Sequence, residues 1–121
     1  MSSLADLVMS GNDGHVVTAT ISGEIDLSNA AELTRSLVEA VPSEAAGLLL
    51  EMTDVVYIDS SGIRMLADLA RRLAWRAQEF VIVAPESSRT RKVLSLTGVA
   101  ESFRLQDSAE AGRASMVQDG P

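Results

Sequence analysis

Val55-Val56-Tyr57-Ile58-Asp59-Ser60-Ser61-Gly62-Ile63-Arg64-Met65-Leu66 is the stretch where an apolar run gives way to four small residues and then to a helical pattern. Beyond Gly62, apolar side chains recur at Ile63, Leu66, Ala67, Ala70 and Leu73, the three-and-four spacing of one helix face. Arg64, Asp68, Arg71, Arg72 and Arg76 fall elsewhere. The spacing predicts an amphipathic helix with Asp59 and the serines at its start. Short side-chain oxygens at such a start accept hydrogen bonds from backbone N–H groups that lack partners within the helix. A helix N-terminus also carries partial positive charge, so it can hold an anion, including a phosphate attached to one of the serines. Taken alone, the same residues read equally as an ordinary capped helix start.

Working outward, the N-terminal side predicts a hairpin. Leu4 to Met9 reads as an extended segment, Ser10-Gly11-Asn12-Asp13-Gly14 as its turn, and His15 to Ile25 as a half-buried strand. In that strand Val17, Ala19 and Ile21 oppose Val16, Thr18 and Thr20. Gly23 ends the regular part of that strand. Ser28 is placed to cap a first helix with Ala30, Leu33, Leu37 and Val41 on one side, stopped by Pro42. Leu48-Leu49-Leu50 is apolar on both faces and predicts a central strand, and Phe80 to Ala84 predicts another, ended by Pro85. Ser87 or Ser88 caps a third helix with Val93, Leu94 and Leu96 inward, which Gly98 closes in a left-handed conformation. Ser102 to Leu105 reads as an edge strand. Asp107 and Glu110 resemble a capping box for a short last helix through about Val117, weakened by Gly112, and Asp119 to Pro121 reads as a frayed end.

Helices alternating with strands after a hairpin predict an α/β fold. Its mixed sheet has an antiparallel start and right-handed parallel crossovers, with about four helices mainly on one face. Asp59 to Gly62 then lie at the carboxyl ends of parallel strands, where such folds place function. With 121 residues, the chain is expected to form a single domain with a core spanning about 7–117. A net charge of −7 argues against nucleic acid as a partner, because phosphate neutralisation needs an excess of Lys and Arg. The absence of cysteine excludes disulfides, thiolate metal sites and cysteine nucleophiles. No apolar run is long enough to span a bilayer, so no membrane insertion is expected and the cytoplasm is the expected compartment.

Three segments in order, Gly23-Glu24-Ile25-Asp26-Leu27-Ser28-Asn29, Ile58-Asp59-Ser60-Ser61-Gly62-Ile63 and Leu96-Thr97-Gly98-Val99, resemble the anti-sigma factor antagonist family. These are single-domain members of the STAS class, named for sulfate transporters and anti-sigma antagonists. The resemblance implies a non-enzymatic partner switch in bacterial transcription control. An anti-sigma serine/threonine protein kinase binds the unphosphorylated form and phosphorylates the serine before the motif's glycine, here Ser61. The phosphorylated form lets go, and a serine phosphatase resets it. Ser60 is the second candidate phosphosite. By the same resemblance Asp26, Asp59, Ser60, Gly62 and Arg64 contribute to partner contacts. Arg64 departs from the pattern, since many relatives carry glycine there. The resemblance also leaves open an accessory subunit of an ABC-type transport complex, or a scaffold subunit of a stress-sensing assembly.

No cofactor or metal is expected, because nothing in the sequence fixes a convergence of carboxylates. His15, the only histidine, stands beside a turn and lacks a Gly-x-Ser-x-Gly elbow to serve as general base. Arg71, Arg72 and Arg76 read as a solvated helix face, and Trp75 as partly buried by a neighbouring element, with an exposed interface anchor as the alternative. A monomer or weak dimer is expected.

Overall fold

The computed structural model describes residues 5–13 and 15–116, with the backbone alone at 10–13. β1 (Ala5–Asp13) and β2 (Val16–Ile25) form an antiparallel hairpin whose register runs from Ala5 opposite Gly23 to Asp13 opposite Val16. The first strand is longer than its sequence suggests. A bulge between Met9 and Gly11 absorbs the residue read as the start of the turn, and pairing continues to Asp13. The chain reverses at His15, whose φ of 71° is left-handed. Leu4 and Gly14 lie outside the described residues.

The free edge of β2 is shared by two parallel strands. Val16 to Thr20 pair with β3 (Gly47–Glu51), and Gly23 to Ile25 pair with β4 (Val55–Ile58), with an irregularity where Gly23 takes φ 96°. β5 (Glu79–Val83) lies parallel to β3, and β6 (Leu105–Gln106) parallel to β5, so the sheet order is β1-β2-β3-β5-β6 with β4 on β2. The expected strand at Ser102 to Leu105 begins later. A 3-10 turn at Ala100–Ser102 engages the N–H groups of Ser102 and Phe103, so pairing with β5 starts only at the Arg104 carbonyl.

α1 (Ala30–Ala40), α2 (Ser60–Trp75) and α3 (Arg89–Leu96) cover one face of the sheet, sharing a core that includes Ile21, Ile25, Leu37, Leu48, Leu50, Leu66, Ile82 and Leu94. α4 (Ala109–Met116) covers part of the other face through Met116 against Val16, Leu49, Val81 and Val83. Alternation along β3 serves both cores, with Leu48 and Leu50 facing one and Leu49 the other. This second layer is why Val16 to Ala19 are all buried, where alternation alone predicts a half-buried strand. It also explains Gly112, since a Cβ there would stand 2.6 Å from Leu49 Cδ1. The residue that weakens α4 as a helix lets it lie close to the sheet.

The helices begin and end by local chemistry, with some changes of residue. α3 is capped by Ser88, whose Oγ accepts from Arg91 N at 3.2 Å, and closes through Val99 N to Leu94 O (3.1 Å) with Gly98 at φ 79°. Leu96 is not inward but 81% exposed, because two residues from buried Leu94 is about 200° around a helix. α4 is capped by Ser108, which accepts from Ala111 N at 3.1 Å, rather than by Asp107, which pairs with Arg91 at 3.3 Å. Val117 and residues 119–121 lie outside the described residues. α2 buries Gly62, Met65, Leu66, Leu69 and Leu73, leaving Ile63 and Ala70 half-buried and Ala67 exposed. The buried face centres near Leu69 and is rotated from the stripe read in the sequence, so Ala67, two residues and about 200° away, faces out.

Candidate functional site

β2 and β4 run parallel and end side by side, with Ile25 opposite Ile58, so the loops that follow them are neighbours. Asp59 N donates to Ile25 O at 3.3 Å and ties the second loop to the first. Asp59 is the N-cap of α2. Its Oδ1 accepts from Ser61 N (2.9 Å) and Gly62 N (3.3 Å), and its carbonyl accepts from Ile63 N (3.1 Å). Ser60 is exposed and Ser61 half-buried in the first turn.

Gly62 is buried, and the reason is steric. A Cβ at this position would lie 2.5 Å from Ile58 Cγ1 and 3.1 Å from Ile25 Cγ2. The glycine therefore lets the first turn of α2 rest directly on the ends of β2 and β4, which fixes where the serines stand. Close packing accounts for the glycine at this position.

The loop after β2 is held by a reciprocal clamp. Asp26 Oδ1 accepts from Ser28 N (2.9 Å) and Ser28 Oγ (2.6 Å), Asn29 Oδ1 accepts from Asp26 N (3.0 Å), and Asn29 Nδ2 donates to Glu24 O (2.8 Å). Ser28, expected to cap α1, instead closes this turn. Asn29 occupies the N-cap position, buried, with no side-chain bond to the helix. The clamp presents Leu27, 80% exposed, beside Ser61. Leu27, Ser61 and Arg64 line a groove of about 340 Å³ between the first turns of α1 and α2.

The pattern that defines the STAS domain matches residues 7–112. The chain belongs to the STAS domain family. Anti-sigma-F factor antagonist RsfB of Mycobacterium tuberculosis is 32% identical over 90 residues, which is 74% of this chain and 72% of that protein. The crystal structure of an anti-sigma factor antagonist from Mycobacterium paratuberculosis superposes with a TM-score of 0.79 at 25% identity, covering 93% of each chain. SpoIIAA in its unphosphorylated form superposes with a TM-score of 0.67 at 17% identity, over 88% of this chain and 92% of that one, and shows the shared fold. The phosphorylated form of the Bacillus protein gives 0.58 at 18% identity, over 88% and 96%.

In this STAS domain the structure gathers most of the residues singled out in the sequence. Asp26 and Asp59 follow directly on paired strand ends, and Ser60, Ser61, Gly62 and Arg64 occupy the first turns of α2. His15 does not join them. It precedes β2, and ten strand residues at about 3.3 Å each place it at the far end of the sheet. Among the described residues no group of three His, Asp or Glu side chains converges as a metal site requires. No helix of the described residues is long and apolar enough to cross a membrane.

Two surface readings change. Trp75 is 90% exposed at the end of α2, not covered by a neighbour. Arg76 is not part of a solvated face, since its guanidinium donates to Val41 O at 2.8 Å and joins the C-terminal ends of α1 and α2. The sequence reading missed Asn29. The only available signal was a second good capping residue beside Ser28.

Proposed function

We propose that the protein is an anti-sigma factor antagonist, a non-enzymatic cytoplasmic switch that binds an anti-sigma serine kinase when Ser61 is unphosphorylated and releases it when Ser61 carries phosphate. A serine phosphatase resets the cycle. The observation that carries this reading is the placement of Ser61. It is half-buried in the first turn of a helix, at the carboxyl ends of two paired strands, beside an exposed leucine and an exposed arginine. The functions named for RsfB and for the Mycobacterium paratuberculosis protein support it.

Phosphorylation adds roughly −1.5 to −2 charges. The N–H groups of Ser61 and Gly62 are already bonded to the Asp59 carboxylate, so the phosphate meets engaged donors and a like charge. It stays at the surface. A partner packed against neutral Ser61 then meets charge and desolvation cost, and a loss of roughly 3–4 kcal/mol weakens binding by hundreds of times.

The test is intact mass and site mapping after incubation with ATP and each anti-sigma kinase of the source organism, with Ser61→Ala and Ser60→Ala as controls. One phosphoryl group, lost in Ser61→Ala alone and abolishing kinase binding, is the expected outcome. Transfer from no candidate kinase refutes the switch, and transfer that persists in Ser61→Ala but disappears in Ser60→Ala moves it to the neighbouring serine.

A further inference from the structure

The groove beside Ser61 has an apolar lining that includes Leu27, Ala31 and Met65, and cationic side chains at Arg64 and Arg71. Charge is segregated along the chain. Residues 30–40 and 60–76 carry five arginines against three acidic side chains, whereas the rest carries five basic against fourteen acidic. Asp68, which also lines the groove, is held by Arg71 at 2.7 Å and Arg72 at 2.9 Å. One carboxylate thus answers two guanidiniums. Arg64 forms no ion pair among the described residues. The lining itself carries Arg64 and Arg71 against Asp68, an excess of one cation on a protein of net charge −7.

We infer that this groove docks an acidic, apolar segment of the partner protein, its carboxylates facing Arg64 and Arg71 and an apolar side chain entering beside Leu27. The occupant follows from charge complementarity, which selects an anionic surface, and from the apolar lining, which selects a protein segment over a free anion. This assignment rests on the partner-binding role proposed above and names the chemistry of the partner. Asp26 and Asp59 stand on the strand-end side of the groove with their Oδ1 atoms engaged by backbone N–H groups, so the site is bipolar and sets one orientation. It also gives release a direct cause. A phosphate on Ser61 stands in the lining of the same groove and repels the carboxylates that Arg64 attracts.

The experiment is calorimetric titration of the unphosphorylated full chain against each anti-sigma kinase of its source organism, at about 50 and about 300 mM salt. Binding that weakens with salt, weakens at least about tenfold in Arg64→Glu and clearly in Leu27→Ala, and is unchanged in Arg104→Gln on the far side of the sheet, is the expected result. Arg64→Gln, with an intermediate loss and a wild-type circular dichroism spectrum, separates charge from misfolding. Wild-type affinity in both Arg64→Glu and Leu27→Ala, or tighter binding by Arg64→Glu, overturns the groove assignment while the switch stands. If the wild type binds no candidate kinase, the switch reading and the groove's partner fall together.

Discussion

Replacing Gly62 with alanine tests whether the seating of Ser61 depends on the contact between α2 and the strand ends. The new methyl carbon would lie 2.5 Å from Ile58 Cγ1, 3.0 Å from Ile58 Cδ1 and 3.1 Å from Ile25 Cγ2. Carbon atoms rest at about 3.5–4.0 Å, so the tightest contact is short by about 1 Å. Ile25 and Ile58 are both buried and have no open side to yield into. Overpacking of this kind costs about 1–3 kcal/mol, and the better helix propensity of alanine offsets about 0.8–1 kcal/mol. A net loss of up to about 2 kcal/mol is expected. Ile58→Ala alone costs about 2–5 kcal/mol, but it removes the Cγ1 and Cδ1 atoms that obstruct the methyl. The double variant should therefore be more stable than the sum of the singles predicts, by about 1–3 kcal/mol. Urea unfolding followed by far-ultraviolet circular dichroism measures all four proteins. Emission from Trp75 is a poor probe, since that ring is exposed in the folded state. Additivity within about 0.5 kcal/mol, or a Gly62→Ala variant more stable than wild type, refutes the argument.

Changes at four further positions test separate parts of the scaffold. Ala77, at φ 57°, closes α2 through Gln78 N to Leu73 O at 2.8 Å, so Ala77→Gly should relieve left-handed strain and raise the melting temperature by roughly 2–4 °C; no rise counts against that strain. Gln78 Nε2 donates to Pro42 O at 2.9 Å and Ala45 O at 3.0 Å in a buried position. Gln78→Ala should lower the denaturation free energy by about 1–3 kcal/mol, and Gln78→Glu by more, because a carboxylate would then face carbonyl oxygens. Gly47→Ala places a Cβ 2.3 Å from the backbone oxygen of Glu79, where no side chain can turn away, and should cost about 3 kcal/mol in the same assay. Asp59→Ala removes the cap of α2 and should cost about 1 kcal/mol by thermal unfolding, with a wild-type melting curve as the contrary result.

What the sequence disclosed was mostly local. Asp59 as a cap, Ser88 as a cap and Gly98 as a left-handed closure each depend on a few neighbouring residues, and the structure shows all three. Leu48-Leu49-Leu50 announced a strand buried on both faces because no alternating pattern can hide three consecutive leucines otherwise. The errors arose where distant parts of the chain decide. Ser28 and Asn29 are equally good caps on paper, and the Asn29 bond to Glu24 O assigns them different work. Ile63, Ala67 and Ala70 make an apolar stripe of α2 by spacing, but the face packed on the sheet centres near Leu69, about 200° from Ala67, and tertiary packing alone decides that rotation. Trp75 reads as partly buried by a neighbouring element, with exposure as the alternative, and the structure leaves it 90% exposed. The value of Gly112 emerges only once Leu49 is known to lie beneath it.

The electrostatics at the start of α2 bear on how such a site signals. A helix N-terminus stabilises one nearby anion, and in this chain the Asp59 carboxylate already occupies that role. Had those N–H groups been unengaged, a phosphate on Ser61 would be absorbed by them, stiffening the helix start and hiding part of its own charge. With Asp59 in place the phosphate gains little from the helix and adds its charge to an existing one. Under the proposed function, the modification would therefore act on the surface rather than on the fold. Gly62, packed against Ile58 and Ile25, seats the first turn of α2 on the strand ends. Under the proposed function, a first turn whose N–H groups are already engaged makes binding depend on the chemistry of one side chain.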